Sequence, residues 1–150
     1  MSDPHEEFAP EELEDLEPPP VPPETIEQVD ALLKRAEGHW DRGENDDLER
    51  TLREACALWP DNPWLVSQLS EALCEPRRYD EAVEVARHAT TLAPDYPPAH
   101  FALTRALHLA ERFAESLVPA YRLLALDPEY STHYVTVAAP LYELGRAREC

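Results

Sequence analysis

Glycine is scarce in this sequence: Gly38, Gly43 and Gly145 are the only three in 150 residues, so no loop able to cradle a phosphate can be written. No HExxH, GxSxG or CxxC occurs, which removes the common local motifs for metal-assisted or nucleophilic hydrolysis and for thiol redox chemistry. The three cysteines, Cys56, Cys74 and Cys150, share no metal-ligand spacing, and the histidines are scattered, so neither a metal nor a cofactor is expected. Basic residues are few as well. Thirteen Lys and Arg stand against 31 Asp and Glu, a formal charge of -18. A phosphate backbone is bound by basic surface, so nucleic acid is not an expected partner, whereas basic peptides or protein faces are. No run of eighteen apolar residues and no signal peptide is present, which points away from a membrane within this segment and toward the cytoplasm.

What the chain has in quantity is proline, sixteen in all, and part of it is placed with a period. The stretch ALWPDNPW holds Pro60-Asp61; Pro94-Asp95 and then Pro128-Glu129 follow at one constant interval. Proline lacks an N–H and clashes with the preceding turn, so each of these ends a helix. The acid beside it favours the start of the next, and Pro63 and Pro97 suit a first helical position.

Residues 1–24 stand apart, with nine acids, no Lys or Arg and seven of the prolines. That composition predicts a disordered acidic tail with a stiff polyproline-type end. Structure is expected over 25–150, opening at Thr25, an N-cap with Gln28 three residues on as a capping box. Ile26, Val29, Leu32, Leu33, Ala36 and Trp40 then recur at helical spacing, and DRGEN breaks the run. Leu48, Leu52, Ala55 and Leu58 mark a second helix. Two further pairs follow from Pro63 and Pro97, and a fourth unit begins at Ser131. Pro119 and Pro140 fall inside helices that they should kink or shorten. No stretch alternates with the period of a strand, so the fold class is all-α.

Helix pairs that recur at the spacing of Pro60, Pro94 and Pro128, each ending in proline, resemble the tetratricopeptide repeat (TPR). Units starting at Val29, Pro63, Pro97 and Ser131 place Leu69-Ser70, Leu103-Thr104 and Val137-Ala138 at the family's apolar and small positions. Leu73, Leu107 and Leu141 take its eleventh position. The small residues of its second helix look like Ala82, Ala86 and Ala89, then Ser116, Ala120 and Leu123. RRYDEA, ERFAES and GRAREC resemble its turn into that helix. The first unit is degenerate at Arg35 and His39. The resemblance implies an α-solenoid of repeats at about 29–62, 63–96 and 97–130 with an incomplete 131–150, whose first helices line a concave groove.

The same resemblance assigns groove residues: Trp40, Trp64, Ser67, Glu71, Cys74, Phe101, Arg105, His108 and Tyr142. Cys74 and His108 occupy equivalent places in successive units and could form a thiol–imidazole pair, although plain contact residues are the simpler expectation. The chaperone-binding clamp of some family members needs Lys and Asn where this chain has Leu33 and Glu37. The expected function is therefore a non-enzymatic adaptor holding a protein or peptide segment with basic and apolar residues. Two alternatives stand beside it: the repeat portion of a larger enzyme or regulator with its chemistry beyond residue 150, and a small secretion chaperone. The open fourth unit also invites self-association through Val135, Leu141 and Leu144.

Overall fold

A computed structural model describes the backbone of residues 20–149 and the side chains of residues 20–146. Residues 1–19, which carry most of the acidic tail, lie outside the described residues, so the disorder expected there does too. Seven helices and no strand are found among the described residues: α1 (Pro23–Arg42), α2 (Asn45–Leu58), α3 (Pro63–Cys74), α4 (Tyr79–Leu92), α5 (Pro97–Leu109), α6 (Phe113–Leu126) and α7 (Ser131–Glu149). They pack as consecutive pairs, each pair on the next, with α7 on α6. This is an all-α solenoid of helix pairs.

The periodic prolines stand where helices end, as expected. Trp59, Ala93 and Asp127 close α2, α4 and α6 with N–H bonds back to Ala55, Ala89 and Leu123, and Pro60, Pro94 and Pro128 come next. The start of α3 is capped by Asn62 rather than by the neighbouring Asp61. Its side-chain oxygen accepts from the N–H groups of Trp64 at 3.0 Å and Leu65 at 3.2 Å, satisfying two otherwise unpaired donors. The capping box expected at Thr25 does not form. Helix α1 is already under way at Pro23, which is preorganised for the first turn, and no side chain caps it.

Within each pair the turn is the same. Gly43, Arg77 and Glu111 hold one repeat position and take left-handed φ values of 71°, 61° and 59°. The following N–H then reaches back to the helix end, from Glu44 to His39 at 2.9 Å, Arg78 to Leu73 at 3.1 Å and Arg112 to Leu107 at 2.9 Å. This is the Schellman closure of a helix end. Gly145 occupies the same repeat position, yet the turn expected at GRAREC is absent, and α7 runs through it to Glu149. Pro119 and Pro140 do not shorten their helices either. Helix α6 has 14 residues, as α2 and α4 do, and both proline rings are buried.

The core runs along the stack. Leu48 and Leu52 of α2, Leu69 and Leu73 of α3, Val83 and Ala86 of α4, and Leu103 and Leu107 of α5 form one buried cluster. Fully buried Ala82, Ala86 and Ala89 let α4 approach its neighbours closely. On the other side of the second helices, arginines bridge successive repeats. Arg53 of α2 bonds Glu81 of α4 at 2.6 Å, and Arg78 joins Glu49 to Glu81. One repeat later Arg87 bonds Glu115 at 3.2 Å, and Arg112 joins Glu115 to Asp80.

Candidate partner-binding groove

The first helices α1, α3, α5 and α7 carry the residues assigned to the groove, but they are not evenly spaced. Helix α3 packs directly on α5, whereas no Cα atom of α1 lies within 8 Å of one in α3. Side chains alone connect those two helices, through a small cluster of Val29, Leu32, Ala55 and Leu65. The sequence differs at one repeat position: α5 presents the small Ala102 to α3, whereas α3 carries the longer Gln68 at the equivalent place, lining the space between α3 and α1.

The gap is a cleft of about 510 Å³. Its floor is apolar, made of Ala36, Leu48 and Leu52. One wall carries Leu33, Glu37 and Trp40 of α1, the other Trp64, Gln68 and Glu71 of α3, with Asp30 and Lys34 also lining it. The two tryptophans keep 48% and 39% of their surface exposed. Glu71 is half-buried, and burial pushes its carboxyl up, with Arg105 at 3.7 Å pulling it down.

Of the nine residues assigned from the sequence, Trp40, Trp64 and Glu71 meet in this cleft. Phe101 and Tyr142 are exposed farther along the stack and do not line it. Arg105 is engaged by two acids, Glu71 of α3 at 3.7 Å and Glu75 just past its end at 3.8 Å, so it offers less free positive charge than its position suggested. Ser67 is buried and donates its hydroxyl to the carbonyl of Pro63 at 2.7 Å. Cys74 is buried too. Its thiol donates to the carbonyl of Ser70 at 3.4 Å and is pushed up by burial, with Arg105 opposing and Glu71 and Glu75 adding to the rise. His108 sets its ring edge-on to Phe113, centroids 5.2 Å apart. Cys74 and His108 thus turn to different partners and form no nucleophile. Gln68, Leu48 and Leu52 were missed from the sequence, and the one signal for them is the polar Gln68 where the next repeat has Ala102.

A second cluster was not expected from the sequence. His39, Glu44 and Asp47 bring ligand-type atoms within 4.8 Å of one another beside the first turn. The guanidinium of Arg42 already bonds Glu44 at 2.9 Å and lies 3.2 Å from Nδ1 of His39. Hydrogen bonds from Arg42 and His39 hold the Glu44 carboxyl down to about 2. An internal cation therefore stands where a metal would. No helix among the described residues is long and apolar enough to cross a membrane.

No protein-family profile and no curated protein matches this sequence. Solved structures do. The first TPR domain of Spaghetti (RPAP3), bound to the HSP90 peptide SRMEEVD, superposes with a TM-score of 0.73 at 17% identity, covering 79% of this chain and 94% of that one. The TPR domain of Sgt2 from Aspergillus fumigatus gives 0.76 at 18% identity, covering 86% and 84%. A Thermobaculum terrenum O-GlcNAc transferase mutant gives 0.70 at 22% identity over 78% of this chain, but only 22% of the transferase. With its periodic helix pairs, repeated left-handed turns and proline-marked ends, this chain has the tetratricopeptide-repeat fold.

Proposed function

We propose that the chain is a non-catalytic interaction module that takes a partner segment bearing basic and apolar side chains into the cleft between α1 and α3. The observation that carries this reading is the pair of half-exposed tryptophans, Trp40 and Trp64, facing one cleft with Asp30, Glu37 and Glu71. A cation over an indole face is attracted by the ring's quadrupole, and carboxylates beside it supply the counter-charge. The apolar floor accepts the aliphatic part of the same side chain or its neighbour. An acidic peptide, such as the one held by the RPAP3 domain, suits this cleft poorly, because Leu33 and Glu37 stand where the resemblance asks for Lys and Asn. The cytoplasm suits the free thiols Cys56 and Cys74. The likeness to the transferase favours a second reading, in which these repeats serve an enzyme to which they are attached.

The test is a peptide array probed with the full chain, followed by kinetics on the best binder. Sequences with Lys or Arg beside apolar residues should be retained, and their affinity should fall with salt. Trp64→Ala should weaken binding by about thirtyfold, as expected for a buried aromatic anchor worth roughly 2 kcal/mol. Glu71→Arg should chiefly slow association. Binding that ignores salt and Glu71→Arg alike would refute the role given to the acids.

A further inference from the structure

The second helices α2, α4 and α6 each expose one stripe at equivalent repeat positions, and on one of them its chemistry changes. Helix α2 carries Asp46, Arg50, Arg53 and Ala57 there, and α4 carries Asp80, Glu84, Arg87 and Thr91. All of these side chains stay exposed although a further helix pair follows each, so the stack itself does not cover this stripe. On α6 the same places hold Ala114, Val118, Tyr121 and Ala125, and they are exposed too. Val118 keeps 75% of its surface open and Tyr121 52%. By helical spacing the four lie opposite the side through which α6 buries Ser116, Ala120 and Leu123. A charged, solvated stripe has become an apolar one.

Val118 also lines a cleft of about 550 Å³ that runs along one flank of the stripe, between α4 and α6. Leu103 and Leu107 of α5, Pro119 of α6 and Pro94 just past α4 make its lining largely apolar. The charges on its rim are already matched, Arg87 with Glu115 at 3.2 Å and Arg122 with Asp95. The exception is His100, which is 9% exposed and lines the cleft from α5. Its Nε2 lies 2.7 Å from the carbonyl oxygen of Pro94. A carbonyl only accepts, so Nε2 holds the proton, and Nδ1 of the neutral ring is an acceptor without a donor. His108 and His133 also lack a partner at Nδ1, but neither lines this cleft. Pro119 adds a second acceptor, because its ring offers no N–H to the carbonyl of Glu115 one turn back.

We infer that the outer face of α6 is a second docking surface, separate from the cleft between α1 and α3, for an amphipathic helix of a partner protein that inserts a tryptophan between α4 and α6. An indole brings a large apolar body for Leu103, Leu107 and Val118, and a single N–H for the waiting acceptor, with no acceptor of its own to be stranded. Apolar residues one turn to either side of it pack along Ala114, Tyr121 and Ala125, as the side-chain rows of two helices interlock. The matched rim asks for little charge, unlike the acidic cleft. Residues 1–19 hold no Trp or Tyr, so the chain's own tail lacks the inserted group. A second copy is also the poorer occupant. Its half-exposed tryptophans line the other cleft, and each copy carries a formal charge of -18 that opposes close approach. With both surfaces filled, one chain joins two proteins.

The probe is a short stapled alanine-based helix with leucine, tryptophan and leucine at i−4, i and i+3, titrated against the full 150-residue chain. Fluorescence anisotropy reads affinity, and methyl NMR of leucine and valine reads place. Saturable binding is expected, with shifts at Leu103, Leu107 and Val118. Val118→Glu, at an exposed site, should weaken it by about tenfold or more while leaving the melting temperature nearly unchanged. Replacing the probe's tryptophan by benzothienylalanine, an isostere without the N–H, should weaken it by about fivefold. Trp64→Ala should have no effect, which keeps this surface distinct from the first cleft. Absence of saturable binding overturns the proposal, as does binding lost in Trp64→Ala but kept in Val118→Glu, or equal affinity for the isostere. A dimer in analytical ultracentrifugation that Val118→Glu dissociates would also overturn it, naming a second copy as the occupant.

Discussion

The eleventh repeat position holds a leucine in three successive first helices, and the structure gives each a different surrounding. Leu73 keeps 0% of its surface exposed and Leu107 1%, whereas Leu141 keeps 44%. Replacing a fully buried leucine by alanine removes its transfer free energy and leaves a cavity, together about 3 kcal/mol in a core that cannot collapse. At Leu141 only about half of the side chain is covered and the missing atoms leave no closed void, so the loss should be roughly 1 kcal/mol. For a folded unit of this size about 1 kcal/mol moves the melting temperature by about 3 °C, so Leu73→Ala and Leu107→Ala should melt roughly 10 °C lower and Leu141→Ala about 3 °C lower. The assay is urea and thermal denaturation followed by far-ultraviolet circular dichroism, with the denaturant slope checked so that a change in midpoint reports stability. If Leu141→Ala costs as much as the other two, the exposure that sets Leu141 apart from Leu73 and Leu107 is not kept in solution, and the reasoning fails.

Two other outcomes follow from the ionisable groups. The Glu44 carboxyl, held down to about 2 from an ordinary value near 4.5, contributes stability that is present above the ordinary value and lost as pH falls from there toward 2. Urea midpoints of the parent should therefore drop more steeply than those of Glu44→Gln across that window, and parallel profiles would show that Arg42 and His39 do not favour the carboxylate. The Cys74 thiol, buried and shifted up, should resist iodoacetamide in the folded chain and react once urea unfolds it, as read by peptide mass spectrometry. Labelling of the native chain at the rate of a free thiol would mean that the row of Ser67 and Cys74 opens to solvent.

The helix pairs were legible in the sequence because their signals are local and repeated. Proline at a constant interval and apolar residues at helical spacing need no knowledge of what packs where. The groove was legible only in part, since a repeat position names a direction and not an exposure. The fifth position holds Ser67 and Phe101; the short serine lies below its neighbours and the long phenylalanine projects past them. The cleft depends on a distance between helices, and distances between first helices leave no periodic trace. Gly145 and Arg146 carry the local signature of a turn, yet α7 continues through them to Glu149, so helical hydrogen bonds prevail there.

The separation of α1 from α3 bears on motion as well as on shape. The second and third repeats are joined along both rows, first helix to first helix and second helix to the next pair. The first repeat is fastened mainly through α2, by its packing on α3 and by the arginine bridges that run from Arg53 and Glu49 to the second repeat. A joint held on one side bends most readily about that side. Widening the cleft would part Val29 and Leu32 from Leu65, whereas the same movement between α3 and α5 would pull apart Leu69, Ala72, Ala102 and Ala106 of the main core. A segment lodged between Trp40 and Trp64 would then act as a splint across a joint where side chains alone link the first helices.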